Sequence, residues 1–523
     1  MAEVAQKRLN QLTNIIQPPV TVATFRTARP ATASVDYTPL NPVNFLLRSA
    51  QIYTHKPAVI YNGQQCSYGQ LAIRVKNFAI ALVNEYKISP GEKVAILCPN
   101  TQPILEAHFA IPAARAVIVA LNHRLNATEV EYIVKHSDAK MFIIDSEYQH
   151  LIPANLNIKL VVIHEGAKDD PYEAMLKLGE HGHWSDLELA GDERDVFGIS
   201  YTSGSTGRPK GVRHAYRFPW AITAVGGTHV MLRKIDYGLI WHHLKNDAVT
   251  HYNGAPTLQT EIVNHPDAVR LDRPVTVMTG GSYPSSVLLR ELESLNIWPR
   301  HIYGLTETFG PTSATYEPVH VEHLSDEERY AMLARQGFAD LTADEIRVMD
   351  QGTGKDVPMD GKTMGEITMR GNIVMKDYYK DPDATSKATK YGVFWTGDLA
   401  VRHPDGAIEL KDRQKDIVIS GGENISSIEI ESTILFMDDV LEVAVVAGPD
   451  EKWGEHPVAF VVPKRGRKVT SEQIFAYCKS HLAGFKLPKT VHIIDELPKT
   501  STGKTQKYIL REQIWEGKAK KIN

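Results

Sequence analysis

Residues 196–211 read VFGISYTSGSTGRPKG, an apolar run that ends in a loop with three glycines, four hydroxyl side chains and Lys210. It is the last of five such runs. KVAILC at 93–98, AVIVAL at 116–121, KMFIID at 140–145, KLVVIH at 159–164 and VFGISY at 196–201 are short, apolar inside and separated by helical patterns. Runs of this kind read as strands buried on both faces, and their alternation with helices predicts an α/β fold with a parallel sheet covered on both sides. Ligands of such sheets sit at the carboxyl ends of the strands, which makes the loop after Tyr201 the first place to look.

The composition of that loop suits phosphate. Gly204 and Gly207 let backbone N–H groups approach an anion, Thr202, Ser203, Ser205 and Thr206 add donors, and Lys210 adds a point charge. It is not a Walker loop, because counting from Gly204 places Pro209 where the second glycine belongs. A solvated surface loop is the other reading of the same residues. A second segment, Ser501-Thr502-Gly503-Lys504-Thr505, imitates the end of a Walker loop but has Pro498 at the first glycine. On spacing alone, Lys504 is an exposed loop lysine.

Working outward, Thr128-Glu129-Val130-Glu131 predicts a helix start in which Thr128 and Glu131 form a capping box. After about residue 414 the pattern changes: IVI (417–419), SSIEIESTILF (426–436), LEVAVVAG (441–448), PVAFVVP (457–463), TSEQIFAYCKSHL (470–482) and TVHIID (490–495) alternate in short units. They predict a small α+β domain over 414–523 beside a larger domain over 1–413, with the polar DRQKD at 412–416 as the junction.

Composition limits the function classes. A chain of 523 residues with 43% apolar and 23% charged side chains can bury a large core, which excludes a disordered, collagen-like or disulfide-stapled protein. With 58 Lys and Arg against 62 Asp and Glu, nothing in the overall charge favours nucleic acid or an acidic membrane as a partner. Cys66, Cys98 and Cys478 match neither a disulfide framework nor a zinc pattern and suit a reducing compartment. The stretch 113–121 is far too short to span a bilayer, the first residues lack the plan of a secretory signal, and the final Ile522-Asn523 is not an S-K-L ending. The expectation is a soluble cytoplasmic protein, with the peroxisome as the alternative; Arg8-Leu9 followed by Ile15-Ile16 is similar to an amino-terminal peroxisomal signal but lacks its histidine, and an amphipathic surface helix is the preferred reading of those residues. No feature specifies an oligomeric state.

Six segments together resemble one family. YTSGSTGRPKGV (201–212), YGLTET (303–308), TGDLAVRHPDG (396–406), KDRQKDIVISGGENISSIEIE (411–431), WGEHPVAFV (453–461) and PKTSTGKTQK (498–507) are similar, in this order, to motifs of the adenylate-forming superfamily of acyl-CoA synthetases, aryl-CoA ligases and luciferases. The likeness covers nearly the whole chain. It implies a large N-terminal adenylate-forming domain with parallel-rich sheets flanked by helices, a small mobile C-terminal α+β domain, and the activation of a carboxylic acid by ATP with transfer to the thiol of CoA.

The resemblance also implies roles. Thr202, Ser203, Gly204, Ser205, Thr206, Gly207 and Lys210 would cradle the ATP phosphates, Tyr303 would stack on adenine, Thr306 would touch phosphate and Glu307 would hold magnesium. Asp398 would accept from the ribose hydroxyls and Arg413 would support it. Gly280, Gly281 and Ser282 would line the adenine and acyl pockets, and Lys504 would bridge the α-phosphate and the substrate carboxylate. Rotation about Lys415 would then replace Lys504 with Gly421 and Gly422 at the CoA channel. TYEPVHVEHLSDEERYAMLARQGF (315–338) and HYNGAPT (251–257) are similar to the subgroup that activates short- and medium-chain or aromatic acids.

One departure is large. After Arg217 the sequence jumps to Phe218-Pro219-Trp220, where the family has a helix and a strand carrying P-x-F-H-x-x-G, on the order of thirty to forty residues with their connections. Losing a buried strand is expected to expose its neighbours and cost several kcal/mol. The reading adopted is an aberrant product such as a missed exon, in preference to a compensated fold. A smaller departure is Arg115, where related sequences have glycine; its stem is expected to lie on apolar surface with its head in water. Alternatives to a CoA ligase are an enzyme loading a carrier-protein thiol, a luciferase-type oxidase, and a catalytically dead nucleotide-binding homologue.

Overall fold

The computed structural model describes residues 27, 40–189, 192–202, 209–214, 219–317, 323–341, 343–344, 346–450, 452–499 and 505–516. They fall into two compact units.

The first unit takes in the described residues of Met1–Thr202, Pro209–Ile235 and Met375–Lys380. Its main sheet has six strands in the order Lys159–Ile163, Ala139–Asp145, Lys93–Leu97, Val117–Ala120, Gly198–Tyr201 and Gly211–His214. The first five are parallel and the last is antiparallel. All five apolar runs are therefore strands of one sheet. Successive side chains leave opposite faces of a strand, and both faces are covered. Val94 and Ile96 join a core with Phe78, Phe109, Tyr172 and Trp184. Ala95 and Leu97 join another with Val130, Ile133 and Phe142.

The helix between Val117–Ala120 and Ala139–Asp145 is Ala127–His136, and it corrects the expected cap. Asn126, not Thr128, is the capping residue: its side chain accepts from the Glu129 N–H at 3.0 Å while Glu129 accepts from the Asn126 N–H at 2.9 Å. Capping the helix two residues earlier leaves Glu131 to pair with Lys135 at 2.5 Å, one turn on. Arg115 adopts a φ of 56°, the left-handed region where glycine is favoured.

The 217/218 junction lies outside the described residues, but the chain beyond it packs well. Trp220, on the helix Pro219–Ala224, is buried and donates to the His108 carbonyl at 3.2 Å. Ser49 donates to the Thr223 carbonyl at 2.6 Å, and His229–Val230 pairs in parallel with Pro57–Tyr61. Val225 stays 73% exposed. Arg233 then reaches the carboxyl ends of two strands of the main sheet, meeting Asp145 at 2.5 Å, Glu165 at 2.9 Å and Glu147 at 3.1 Å.

The second unit holds the described residues of Asp236–Val374 and Asp381–Asn523. His251–Gly254, Val275–Thr279 and Ile297–Tyr303 are parallel neighbours, so Gly254, Thr279 and Tyr303 end on one edge. A second sheet pairs Gly365–Met369, Val393–Arg402 and Ile408–Arg413 antiparallel. A third, with Val418–Ser420, Glu423–Ile425, Val440–Asp450, Gly454–Pro463 and Thr490–Ile493, carries the helices Ser427–Leu435 and Ser471–His481. Its strands also serve two cores, Val445, Ala459 and Val461 facing one and Val446, Val458 and Phe460 the other. Every unit expected after residue 414 is present, and Lys507–Trp515 adds a further helix.

Candidate active site

The strand Ile297–Tyr303 delivers Tyr303 to the edge where the parallel strands end. Its hydroxyl donates to the Asp398 carboxylate at 2.7 Å. Asp398, 3% exposed, lies on Val393–Arg402, directly opposite Arg413 on Ile408–Arg413, and the Arg413 Nε stands 3.4 Å from its other oxygen. An aromatic ring, a carboxylate and a guanidinium are thus joined although they come from three separate strands. Burial first, and then the Asp398 charge, push the Tyr303 phenol well up from its ordinary pKa, so it remains a donor.

Beyond Tyr303 the chain turns through the short helix Thr306–Thr308, which places Thr306 and Glu307 just past the strand end. The turn is held by the Leu305 N–H on the Thr308 hydroxyl at 2.9 Å and the Thr312 N–H on the Tyr303 carbonyl at 2.8 Å. Gly280 and Gly281 follow the neighbouring strand Val275–Thr279, with Ser282 next. Gly280 has no room for a side chain, since a Cβ there would stand 2.4 Å from the Ile302 carbonyl oxygen. The close approach seats this loop directly on the strand that carries Tyr303.

Thr202 and Lys210 belong to the first unit. They face each other across the mouth of the glycine-rich loop: the Thr202 N–H donates to the Lys210 carbonyl at 3.0 Å and the Lys210 N–H to the Thr202 hydroxyl at 3.1 Å. The Lys210 ammonium lies 4.8 Å from the centre of the Tyr378 ring. Ser203, Gly204, Ser205, Thr206, Gly207 and Lys504 lie outside the described residues.

Gly421 and Gly422 form the two-residue turn of a hairpin, with φ values of 62° and 89° that suit glycine. The Gly421 N–H donates to the Trp453 carbonyl at 2.8 Å. The expected junction at 412–416 is only partly a turn. Asp412 and Arg413 finish a strand, and Asp412 is buried, its carboxylate accepting from the Ser427 N–H at 2.6 Å. Burial lowers the pKa of Lys415.

Glu366 was missed by the sequence reading. It is buried in Gly365–Met369 and accepts from the Gly397 N–H at 2.7 Å and from the Gln351 amide. Thr396 donates to the Ile367 carbonyl at 2.8 Å. Together these bonds fix the irregular stretch of the strand, at Thr396 and Gly397, that presents Asp398. The signal available in the sequence was a single acid inside the otherwise uncharged run GEITM.

The chain matches the family of AMP-binding enzymes over residues 46–218 and 214–379, in two pieces that meet at the departure noted above, and the AMP-binding enzyme C-terminal domain over residues 429–504. It is 37% identical to a 2-methylpropanoate–CoA ligase of Humulus lupulus, over 92% of this chain and 96% of that one. It is 35% identical to a peroxisomal trans-cinnamate:CoA ligase of Petunia hybrida, over 91% and 94%. Among solved structures it resembles MatB of Rhodopseudomonas palustris bound to ATP, with a TM-score of 0.78, 24% identity and coverage of 91% and 99%. It also resembles an anthranilate CoA ligase in complex with anthranoyl-AMP, with a TM-score of 0.79, 21% identity and coverage of 92% and 98%. From these matches, the chain belongs to the AMP-binding enzyme family of the adenylate-forming superfamily, in its acid:CoA ligase subgroup.

Proposed function

We propose that the chain activates a small carboxylic acid, short- or medium-chain or aromatic, with ATP and passes the acyl group to CoA. The observation that carries this reading is the Tyr303–Asp398–Arg413 constellation, which offers a ring for adenine and a buried, oriented carboxylate for ribose hydroxyls. The named acids of the relatives, 2-methylpropanoate and trans-cinnamate, support the substrate class.

In the first step a carboxylate oxygen attacks the α-phosphorus and pyrophosphate leaves. In the second the CoA sulfur attacks the acyl carbon and AMP leaves. Two anions must meet in the first step, so cations have to be in place beforehand. Lys210 serves the phosphates and Lys504 the reacting oxygens. Thr306 contacts phosphate and Gly280, Gly281 and Ser282 form the floor beside the base. Gly421 and Gly422 serve the CoA step after rotation about Lys415.

Among the described residues no group of three or more His, Cys, Asp or Glu could hold a metal by itself. A single carboxylate, Glu307, at the strand end fits magnesium, which binds through one or two carboxylates and the phosphates of its nucleotide. When bound, magnesium would offset phosphate charge. Three free, buried cysteines support a reducing compartment, cytoplasmic or peroxisomal, and no described helix is long and apolar enough to cross a membrane.

A second reading is a nucleotide-binding homologue without ligase activity, supported by the family match that breaks at residues 214–218. The experiment is acid-dependent exchange of pyrophosphate into ATP over acetate, 2-methylpropanoate, butyrate and trans-cinnamate, followed by thioester formation with CoA or a purified carrier protein. Exchange with at least one acid and a CoA thioester are expected. ATP binding without exchange for any acid would leave the second reading standing.

A further inference from the structure

The helix Lys507–Trp515 is tied to the strand that carries Arg413 by a largely buried ionic link that the reaction scheme above does not use. The Lys507 ammonium donates to the Ser427 hydroxyl and pairs with Glu431, both at 2.6 Å. The Ser427 N–H in turn donates to Asp412 at 2.6 Å. Asp412 is 1% exposed, and the Lys507 and Glu431 side chains are 16% and 15% exposed. Next to them, Arg511 pairs with Asp416. Burial alone would push the Lys507 ammonium down, but the carboxylates of Glu431, Asp412 and Asp416 more than offset it, so it stays charged. Burial pushes the Asp412 and Glu431 carboxyls up, which makes each dependent on the cation they share.

The position of the link gives it meaning. Asp412 and Arg413 are consecutive on a strand, so their side chains leave opposite faces. Arg413 turns to Asp398, and Asp412 turns to Ser427. At the other end, Lys507 follows directly on the base of the segment that includes Lys504. That base is closed by a bridge between Lys499 and Thr505 and by the Gln506 N–H on the Pro498 carbonyl at 2.8 Å.

We propose that Lys507 is a positioning residue for acyl-adenylate formation: through Ser427, Glu431 and Asp412 it registers the base of the Lys504 segment against the strand end that holds Arg413. The inference rests on the reading of Lys504 and of the first step given above. Removing the cation frees the base of the segment to shift, and a shift of about an ångström at a reacting group lowers the rate without removing a ligand contact.

The test compares Lys507→Met and Lys507→Arg with the unaltered chain, using the acid among acetate, 2-methylpropanoate, butyrate and trans-cinnamate that best supports pyrophosphate exchange. Lys507→Met is expected to lower the kcat of exchange by about ten- to a hundredfold with the KM for ATP within about twofold, while thioester formation from supplied acyl adenylate and CoA stays within about twofold. Lys507→Arg is expected to restore most of the exchange. Should Lys507→Met fail to fold, as read by circular dichroism, Asp412→Asn carries the same comparison with the same direction expected. Unchanged exchange, or an equal fall in both half-reactions, overturns the inference. No exchange by the unaltered chain with any of the four acids overturns the proposed function instead.

Discussion

The Tyr303 hydroxyl and the Asp398 carboxylate meet at 2.7 Å across a sequence separation of 95 residues. The contact makes one functional group of two side chains, because the phenol occupies an oxygen of Asp398 and fixes the direction of the remaining lone pairs. Tyr303→Phe keeps the ring and removes that bond. Hydrogen bonds to charged groups contribute about 1.5–3 kcal/mol, so the KM for ATP is expected to rise roughly tenfold or more while kcat changes little. Steady-state kinetics with ATP as the varied substrate decide it, and an unchanged KM would remove Tyr303 from the nucleotide site.

Lys504→Ala is expected to lower pyrophosphate exchange on the order of a hundredfold or more, the cost of one lost transition-state donor. Thioester formation from supplied acyl adenylate should be spared. Equal loss in both half-reactions would count against the role given to Lys504.

His301 predicts the pH dependence of stability. It is fully buried, its Nδ1 donates to the Ala334 and Arg335 carbonyls at 2.8 Å each, and burial pushes its pKa down to about 4. Unfolded histidine titrates near about 6.5, so below that pH the unfolded chain takes up the proton first. The stability from a neutral His301 is complete above about pH 6.5 and is lost as the pH falls toward about 4, by about 3 kcal/mol at most. His229, also held down at about 4 by burial, acts in the same direction. Urea denaturation between pH 7 and 4.5 should show the decline, and His301→Asn should flatten it. Identical slopes for the two proteins would refute this account.

Arg233→Met leaves Asp145, 1% exposed, without its cation. Breaking a buried pair from one side is expected to cost on the order of 3 kcal/mol. The midpoint of urea unfolding reports it, and a shift below about 0.5 kcal/mol, the level of ordinary surface substitutions, would show that the pair is replaceable by solvent.

The fold was largely legible because its strands are buried on both faces and so are written as unbroken apolar runs. Five strands of the sheet formed by Lys93–Leu97 and its neighbours needed nothing more, whereas the antiparallel Gly211–His214 is too short and too polar to announce itself. Caps were less legible, since Asn126 and Thr128 both satisfy the side-chain requirement and only the backbone decides between them. Tyr303, Asp398 and Arg413 were found by resemblance; their meeting follows from strand register, which local patterns do not encode. Glu366 and Lys507 escaped notice because each acts through partners 31 and 76 residues away, Gly397 and Glu431.

The cluster around Arg233 divides the carboxyl edge of the first sheet. At the strands ending in Asp145 and Ile163, the carboxylates of Asp145, Glu147 and Glu165 are gathered about Arg233 and Lys234, so both cations are engaged in ion pairs. At the strand ending in Tyr201, the Thr202 and Lys210 N–H groups each donate to the other residue, and the Lys210 ammonium lies 4.8 Å from the centre of the Tyr378 ring. The two ends of this edge thus differ in chemistry: one holds its cations in pairs with three carboxylates, and the other sets a lysine beside an aromatic ring.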